Sequence, residues 1–523
     1  MKRYRTYLPY LIALLALGAR WLPGPRTIDD AFITFRYARH ILAGNGFTYN
    51  PGAAVLGTTT PLYTLLMAAL GALTGGTHAP FPFLALGVNA LADAATCLLL
   101  IRIGRRLQRP RSGYAAALAW SIAPWSVTFA IGGMETSLYV LLLTLTALAW
   151  LEERPALTAL SAALALLTRP DALLLLAPLG LDAVGQILRG RLHPDRRAWV
   201  GVALSALLLT AWGVFATLRF GSPVPHSVAA KTLAYRLGPT EGLVRLLQHY
   251  ATPFLLYARL GMWWVGVGLV LYPFLFAIGA RRSLAAHPRL WPWMIYPWLY
   301  FAAFALANPL IFRWYLTPPL PAYFFGIFLG LEELWDAAPP ERESASPTRR
   351  LHPGRILRKT GLALGLFLIP FFVPFSTWTL HPDHGLSRPA PDMAWYELEL
   401  LYRRAAHYLM TQTPPDARPV LAAGDVGVLG FETDWQILDL VGLNSPEATA
   451  YYPLPAEMYV INYAVPPDLV LDARPDYLVI LEAYGRSGLL QDGRFQKSYR
   501  LLEKFDTDIY GSDGMLIFAR CAP

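Results

Sequence analysis

Long apolar stretches recur along the first 380 residues, and they constrain the fold more than any other feature of the sequence. Each is about 15–22 residues long, close to the roughly 20 residues that an α-helix needs to cross a bilayer. Only 15% of all residues are charged, whereas soluble domains usually carry about 25%. The sequence therefore predicts a polytopic α-helical membrane protein. The twelve stretches lie at residues 7–22, 60–75, 81–101, 113–131, 137–151, 155–168, 171–188, 198–219, 260–280, 291–307, 314–331 and 359–378.

The distribution of Lys and Arg predicts which loops face the cytoplasm. If all twelve stretches crossed the membrane, the basic loop 102–111 would lie opposite the basic N-terminus, against the positive-inside rule. The stretch 60–75 is short and contains Pro61 and Gly71, so we interpret it as an interfacial or half-inserted helix of a long first outer loop, 23–80. With about eleven transmembrane helices, the cytoplasmic segments hold 22 Lys and Arg and the outer loops hold 9. We therefore expect a multi-pass protein of the cell (plasma or inner) membrane, with a cytoplasmic N-terminus.

The C-terminal part of the chain has a different residue pattern, which predicts a soluble domain. It contains no spanning run, but it alternates short β-like segments with turn residues and one helical pattern. Its length of about 140 residues is enough for a core of its own. An odd number of spans, counted from a cytoplasmic N-terminus, places this domain outside the cell. We thus expect a transmembrane domain at 1–379 with a polar cytoplasmic linker at 332–358, and an extracytoplasmic mixed α/β domain at 380–523. The β-like segments are 419–423, 435–441, 476–481 and 515–520, and the helical pattern covers 392–411.

Several classes of function are disfavoured by composition and motifs. The net charge of +9 comes from Lys and Arg in short loops between apolar stretches, which indicates membrane orientation rather than nucleic-acid binding. The two cysteines, Cys97 and Cys521, form no CxxC pair, so they predict neither a disulfide framework nor a thiolate metal site. No P-loop, zincin or serine-hydrolase motif is present. An enzyme of the outer face, where nucleotide sugars are absent, needs a donor that is already in the membrane.

Polar side chains from distant parts of the sequence converge on the predicted outer face. Acids and bases are costly near a membrane, and a cluster of them at one face is typical of a site assembled between helices. We therefore expect a functional site there. Its candidates are the adjacent acids Asp29 and Asp30, then Arg36, Glu135, Arg169 with Asp171, His226, Lys231 and Arg313.

Each candidate also has a structural interpretation. An acid just before a helix can cap it, which would stabilise the helix by roughly 0.5–2 kcal/mol, although one carboxylate suffices for that. The helix that follows the acids puts Arg36, Arg39 and His40 on one face, which would suit either lipid headgroups or the phosphate of a lipid substrate.

The other basic candidates are open to two interpretations as well. Arg169 could simply pair with Asp171. Lys231 and His226 lie in an outer loop and suit either phosphate neutralisation or solvation. Arg313 stands among aromatic residues, where a side chain can extend to the membrane surface.

Motifs along nearly the whole chain resemble one family of membrane enzymes. These motifs are DDAFITFRYARHILAGNGFTYNPG and GTTTPLYTLL in the first loop, GMETSLY, LTRPDALLLL and PHSVAAK in later loops, and GDVGVLGFETDWQILDLVGLNSPE in the C-terminal domain. They resemble the GT-C fold, polyprenyl-phosphate-sugar-dependent glycosyltransferases. The resemblance is strongest to bacterial members similar to terminal arabinofuranosyltransferases and to the protein mannosyltransferase-like group.

The resemblance implies an inverting transfer of a sugar from a polyprenyl-phosphate donor to a glycan, lipid or protein acceptor of the cell envelope. The sugar would be a pentose such as arabinofuranose, or a hexose such as mannose. In that fold an acid of the first outer loop is the general base, and cations hold the leaving phosphate. Carried over by position, Asp29 is the expected base and Asp30 its partner. The expected substrate and donor-phosphate residues are Arg36, Glu135, Arg169, His226, Lys231 and Arg313.

The chain departs from the family pattern at two places. Val55, Leu56 and Gly57 stand where an EG-type run is usual, and His226 replaces an Asn. The first departure bears on the identity of the sugar or the acceptor.

Two other functions fit the same composition. A transporter or flippase of a lipid-linked substrate would use the acids as coupling groups, but it would more often show broken helices in paired halves. A non-catalytic receptor would leave the double acid without a role. The two carboxylates could also bind a divalent cation, which is a possible cofactor.

Overall fold

Helices build the part of the chain that precedes Ser376, and the computed structural model describes residues 4–256, 259–337, 353–381 and 386–521. Proline stands in the first turn of many of these helices, where its missing N–H costs no hydrogen bond and its fixed φ already suits a helix. The helices are α1 (Tyr4–Trp21), α2 (Asp29–Leu42), α3 (Pro61–Thr74), α4 (Phe81–Arg106), α5 (Pro110–Ile122), α6 (Pro124–Ile131), α7 (Thr136–Leu151), α8 (Pro155–Thr168), α9 (Leu173–Leu188), α10 (Arg196–Phe220), α11 (His226–Ala234), α12 (Glu241–Ala251), α13 (Met262–Ala286), α14 (Trp291–Ala307), α15 (Leu320–Asp336), α16 (Pro353–Phe367) and α17 (Val373–Phe375).

Within the described residues, five helical segments are long and apolar enough to cross a membrane, and a sixth is formed by α5 and α6 if that pair is one span. The pair is bent by 46° at Ala123, next to Pro124. Shorter apolar helices accompany them, among them α3, whose 14 residues are about 21 Å long against a hydrocarbon core of about 30 Å. The count of eleven spans stays a prediction. The five segments are Phe81–Arg106, Pro170–Leu188, Arg196–Phe220, Met262–Ala286 and Pro288–Ala307.

A buried ion pair connects four helices near the start of the chain. Asp93 of α4 accepts hydrogen bonds from Arg20 Nε of α1 at 2.9 Å, Trp120 Nε1 of α5 at 3.0 Å and Ser137 Oγ of α7 at 3.0 Å. Arg20 and Asp93 are both fully buried. Charges in an apolar bundle are tolerated when they are paired and hydrogen-bonded, and these contacts involve both carboxylate oxygens. The pair therefore fixes how α1, α4, α5 and α7 pack.

Glycines allow α13 and α15 to pack backbone to backbone. A Cβ on Gly330 would lie 2.0 Å from the carbonyl oxygen of Leu275, and one on Gly279 would lie 2.5 Å from the Gly330 nitrogen. Small residues at such contacts are typical of helix pairs in membranes, where close packing replaces the hydrophobic effect as the driving force.

The C-terminal part is an α/β domain, as the sequence predicts. Its five-stranded sheet has the order β4-β3-β5-β7-β6; β3 is parallel to β4 and β5, and β7 is antiparallel to its neighbours. The four β-like sequence segments correspond to β3, β4, β5 and β7, whereas β6 carries no strong alternation in sequence. The strands are β1 (Trp378–His381), β2 (Leu386–Pro391), β3 (Val420–Ala423), β4 (Gln436–Asp439), β5 (Tyr477–Leu481), β6 (Tyr499–Phe505) and β7 (Met515–Arg520); the helices are α18 (Glu397–Gln412), α19 (Gly427–Thr433), α20 (Pro467–Ala473), α21 (Glu482–Gly485) and α22 (Gly493–Ser498).

The sheet meets the helical part through the ends of its parallel strands. Asp425 follows β3 and Asp439 ends β4, so both lie at the carboxyl edge, where open α/β sheets place their functional loops. The first long loop, residues 23–80, contacts this edge directly: Tyr49 Oη donates to Val426 O at 2.6 Å, and Asn50 Nδ2 donates to Ile437 O at 2.8 Å. The fold thereby joins the start of the chain to its last domain.

The α13–α15 contact predicts a difference between two glycine substitutions. Gly330→Ala should lower the unfolding temperature in detergent, because its methyl group would overlap the Leu275 carbonyl. Gly266→Ala on α13 is the matched control, since a Cβ there meets no described atom within 4 Å. Equal unfolding temperatures of the two variants would contradict the packing argument.

Candidate active site

A polar cavity brings together four of the residues that the sequence singled out. Asp30 from α2, Glu135 from the turn before α7, Arg169 from the turn after α8 and Lys231 from α11 line its wall. The open space at the centre is only about 60 Å³, enough for a few water molecules. The space between these side chains is therefore narrow in this structure.

Arg169 is a fixed cation in the wall of this polar cavity. Its Nη1 donates to Glu135 at 3.0 Å and its Nε donates to Asp171 at 2.9 Å. The guanidinium carbon lies 5.4 Å from the ring centre of Tyr139 and 4.9 Å from that of Tyr315. Two carboxylates and two rings thus hold the guanidinium plane in one orientation. The expected Arg169–Asp171 pair is present, and it does not remove Arg169 from the cavity.

Lys231 is the second cation, and it is held less tightly. Its Nζ lies 3.4 Å from Tyr315 Oη and 4.7 Å from the ring centre of Phe312. Burial opposes the charge on the ammonium, but Tyr315 and Asp30 outweigh it and raise the pKa of Lys231. The ammonium therefore stays charged and faces the same space as Asp30.

The two adjacent acids point to different places. Consecutive side chains on a helix diverge by about 100°, and Asp29 and Asp30 begin α2. Asp29 is buried, and its two oxygens accept hydrogen bonds from the backbone N–H groups of Gly427 and Val428, both at 2.8 Å. Asp30 instead lines the polar cavity. Of the two, Asp30 is the acid within reach of a ligand there.

This geometry reverses the order that the resemblance suggests for the two acids. Asp29, the expected base, is buried, and both of its oxygens accept N–H groups of the C-terminal domain, so its carboxylate is out of hydrogen-bond reach of a hydroxyl in the polar cavity. The N-cap residue of α2 is Ile28, which makes no side-chain capping hydrogen bond, and the two acids lie in the first turn of the helix, where their charge suits the helix dipole.

A group of acids surrounds Asp29 at the interface with the C-terminal domain. The Asp29 N–H donates to Glu399 Oε1 at 3.2 Å, and Asp425 accepts from Tyr402 Oη at 2.6 Å and Tyr484 Oη at 3.0 Å. Burial, and then the charge on Asp425, raise the pKa of Asp29 well above its usual range. Burial also raises the pKa of Asp425, and it raises the pKa of Glu399 to about 8. Glu399 is therefore protonated at neutral pH, which limits repulsion in the group.

The basic face of α2 binds the C-terminal domain rather than lipid headgroups or a lipid phosphate. Arg36 is fully buried; its Nε donates to Tyr49 O and its Nη2 to Trp435 O, both at 2.7 Å. Arg39 Nη1 donates to Phe431 O at 2.6 Å. Carbonyl oxygens of the protein occupy the donors of Arg36, and its contact with the donor phosphate stays a prediction.

His226 and Arg313 lie outside the wall of the polar cavity. The His226 N–H donates to Leu56 O at 2.9 Å, which attaches α11 to the first long loop. Arg313 lines a second cavity of about 500 Å³ together with Arg245 and His249. Trp314 and Tyr315 directly follow Arg313 and face the polar cavity, so the turn that carries them separates the two spaces.

Several wall residues are not predicted from the sequence. Thr58, Thr59 and Thr60 belong to the GTTTP motif, and their hydroxyl groups suit a sugar or a phosphate, so the motif was the available signal. Tyr315 was noted only as an aromatic neighbour of Arg313. Leu443 comes from the C-terminal domain, and no local pattern places it near the membrane part.

The acid pair does not fit a divalent cation. Among the residues that the structure describes, no group of three or more His, Cys, Asp and Glu side chains is arranged to hold a metal ion. Asp29 already accepts two N–H groups and points away from Asp30, so the pair offers a cation one carboxylate rather than two. We assign no step to a metal.

Comparisons with known proteins concern both parts of the chain. Residues 393–518 match the model of a family described as a domain of unknown function, DUF8728. The terminal β-(1→2)-arabinofuranosyltransferase of Mycobacterium tuberculosis is 29% identical over 233 residues, which are 41% of this chain and 35% of that protein. The match thus spans about a third of the length of this curated relative.

Two solved structures share the architecture of the whole chain. The oligosaccharyltransferase of Archaeoglobus fulgidus, tethered to an acceptor peptide, has a TM-score of 0.56 at 12% identity, over 100% of this chain and 74% of that one. ArnT from Cupriavidus metallidurans, bound to undecaprenyl phosphate, has a TM-score of 0.51 at 13% identity, over 99% and 97%. Both are GT-C glycosyltransferases. This chain has the GT-C fold, and the resemblance predicted from its motifs is confirmed.

The pKa of Glu399 predicts a pH dependence of stability. Because this pKa is about 8 in the folded chain and ordinarily 4.5, protonated Glu399 favours the folded state, and that contribution is lost as pH rises from 4.5 to 8. Glu399→Gln, which keeps an acceptor for the Asp29 N–H, should remove this loss. In detergent, the unfolding temperature of the variant should rise relative to that of the wild type as the pH increases from about 5 to about 8.5. Parallel curves, as expected for the exposed control Glu447→Gln, would contradict the prediction.

Proposed function

We propose that the protein is an inverting glycosyltransferase that moves a sugar from a polyprenyl-phosphate donor to an acceptor of the cell envelope. The observation that carries the proposal is the polar cavity, where one accessible acid, Asp30, faces two cations, Arg169 and Lys231. An acid and a pair of cations in one polar cavity suit a reaction that takes a proton from a hydroxyl and releases a phosphate.

Asp30 is the general base in this proposal. Its carboxylate takes the proton of the acceptor hydroxyl as the hydroxyl oxygen attacks the anomeric carbon of the sugar. The attack comes from the face opposite the leaving group, so a single displacement inverts the configuration at that carbon. The bond between the anomeric carbon and the phosphate oxygen breaks, and the polyprenyl phosphate leaves with the electron pair.

Arg169 and Lys231 stabilise the departing phosphate. Negative charge grows on the phosphate oxygens as the bond breaks, and fixed cations in a space with little water are most effective there. Arg169 costs little reorganisation because Glu135 and Asp171 already hold it. Glu135 therefore positions the cation. Lys231, on a longer and looser side chain, can follow the phosphate as it leaves.

The relatives support this choice of substrates. The curated relative is named a terminal arabinofuranosyltransferase, ArnT was solved with undecaprenyl phosphate and the oligosaccharyltransferase with an acceptor peptide. A lipid-linked donor is consistent with those names. The proposed sugar is a pentose such as arabinofuranose, or a hexose such as mannose.

The proposed orientation puts the polar cavity and the C-terminal domain on the outer face of a cell membrane. The excess of Lys and Arg in the predicted cytoplasmic loops supports it. A donor carried by the membrane also suits a compartment without nucleotide sugars. The N-terminus is then cytoplasmic.

The base assignment predicts the effect of one isosteric substitution. Asp30→Asn should lower the release of polyprenyl phosphate from a polyprenyl-phosphate pentose or hexose by about 100- to 10,000-fold, the usual range for a general base. Asp506→Asn, which removes an exposed carboxylate of the C-terminal domain, is the matched control. Full activity of Asp30→Asn in correctly folded protein would exclude Asp30 as the base.

The cation assignment predicts a change in binding that needs no turnover. Lys231→Gln should weaken the affinity for polyprenyl monophosphate by about 10- to 100-fold, since it removes a charged donor to the phosphate. Lys497→Gln on the exposed surface of α22 should leave the affinity unchanged. Direct titration of the lipid phosphate into the protein in detergent measures both. If Lys231→Gln binds like Lys497→Gln, then Lys231 does not hold the phosphate.

A further inference from the structure

The segment 424–430, GDVGVLG, is shaped to receive the start of α2; we call it the docking segment. The Asp29 carboxylate accepts the N–H groups of Gly427 and Val428, each at 2.8 Å. A Cβ on Gly427 would lie 1.8 Å from the Asp29 carbonyl oxygen and 2.8 Å from its Oδ2. Gly427 has no positive φ, so the contact requires space at this position rather than an unusual backbone. Only glycine provides that space.

A second glycine of the docking segment, Gly430, is also at a position where a side chain has no space. A Cβ on Gly430 would lie 2.3 Å from Tyr49 Oη and 2.6 Å from Arg36 Nη1. Tyr49 Oη donates to Val426 O at 2.6 Å, and Arg36 Nη1 donates to the Gly430 carbonyl. The first long loop therefore holds the docking segment at two points about one helical turn apart.

The C-terminal domain also reaches the wall of the polar cavity itself. The loop after β4 is ordered around the Asp439 carboxylate, which accepts from Val441 N at 3.0 Å and Asn444 N at 2.9 Å. This loop carries Leu443, a wall residue of the cavity. Tyr37 Oη of α2 donates to Asn444 Oδ1 at 3.3 Å. The C-terminal domain thus contributes a residue to the wall of the cavity.

Asp29 and Asp30 share a peptide bond at the start of α2, so whatever fixes Asp29 also fixes the backbone from which Asp30 projects. A reacting group displaced by about 1 Å loses roughly 100-fold in rate. We propose that Asp29 is a positioning residue: its contact with the docking segment holds Asp30 in place, so that the C-terminal domain is an obligatory part of the reaction site. This inference rests on the proposed function.

The contact is specific to a carboxylate. Each oxygen of Asp29 receives one backbone N–H, whereas an Asn side chain offers one acceptor oxygen and presents an NH₂ group to the other donor. Asp29→Asn therefore keeps the shape of the side chain and loses half of the contact. Gly427→Ala loses the contact from the other side while both carboxylates stay intact.

The test compares kcat and KM for transfer from a polyprenyl-phosphate sugar. Gly427→Ala should lower kcat by about 10- to 100-fold with little change in the donor KM, because Arg169 and Lys231 are untouched. Gly493→Ala is the control, since a Cβ there meets no described atom within 4 Å, and it should keep the wild-type kcat. The double variant Asp29→Asn/Gly427→Ala should lose no more kcat than the single variant with the larger loss, because both changes break the same contact.

Different results would overturn the inference and the proposed function. If the wild type transfers sugar and folded Gly427→Ala has the kcat of Gly493→Ala, Asp29 does not position Asp30. If the losses of the two single variants multiply in the double variant, Asp29 acts separately, as a base would. Where Gly427→Ala does not fold, Gly430→Ala tests the same docking segment with the same expected loss. A wild type that consumes none of the polyprenyl-phosphate sugars would instead contradict the proposed function.

Discussion

The contact between the start of α2 and the docking segment is the interaction on which the arrangement of the site depends. It joins the beginning of the helical part to a loop almost 400 residues later, through the Asp29 carboxylate and two backbone N–H groups. Arg36 and Tyr49 secure the same loop with bonds to its carbonyl groups. With these contacts made, Asp30 faces the polar cavity, and Leu443 closes one side of it. The GT-C helices and the α/β domain therefore build one site together.

The chain handles its charges in the same way throughout the helical part. Arg20 and Asp93 are buried as a pair in the bundle, and Asp93 also accepts hydrogen bonds from Trp120 and Ser137. Arg169 is buried between two carboxylates. A buried charge without a partner would be very costly, so these groups are placed where the fold supplies partners. At the polar cavity the partners of Arg169 leave it at the wall, close to Lys231, which gives the space its positive side.

Sequence reasoning identified the fold class and many residues of the cavity wall, but not the separate roles of these residues. The apolar stretches correspond to helices of the structure, and four β-like segments correspond to strands of the sheet. Of the eight candidate site residues, Asp30, Glu135, Arg169 and Lys231 meet in the cavity. Arg36 could not be told apart from a phosphate ligand, because a basic helix face looks the same whether it meets lipid or a folded domain. Asp29 and Asp30 diverge by about 100° on the helix, and the sequence does not show which of them faces the cavity.

The sequence by itself determined that the chain is a membrane protein with an α/β domain after it, because apolar length and alternation are local properties that the backbone must satisfy. It also placed acids and bases in loops predicted to share one face. Only the tertiary structure decided which acid is free, since that depends on Gly427 and Val428, residues that are remote in sequence and donate only backbone groups. A backbone N–H has no side-chain signature, so its partner becomes visible only when the chain is folded.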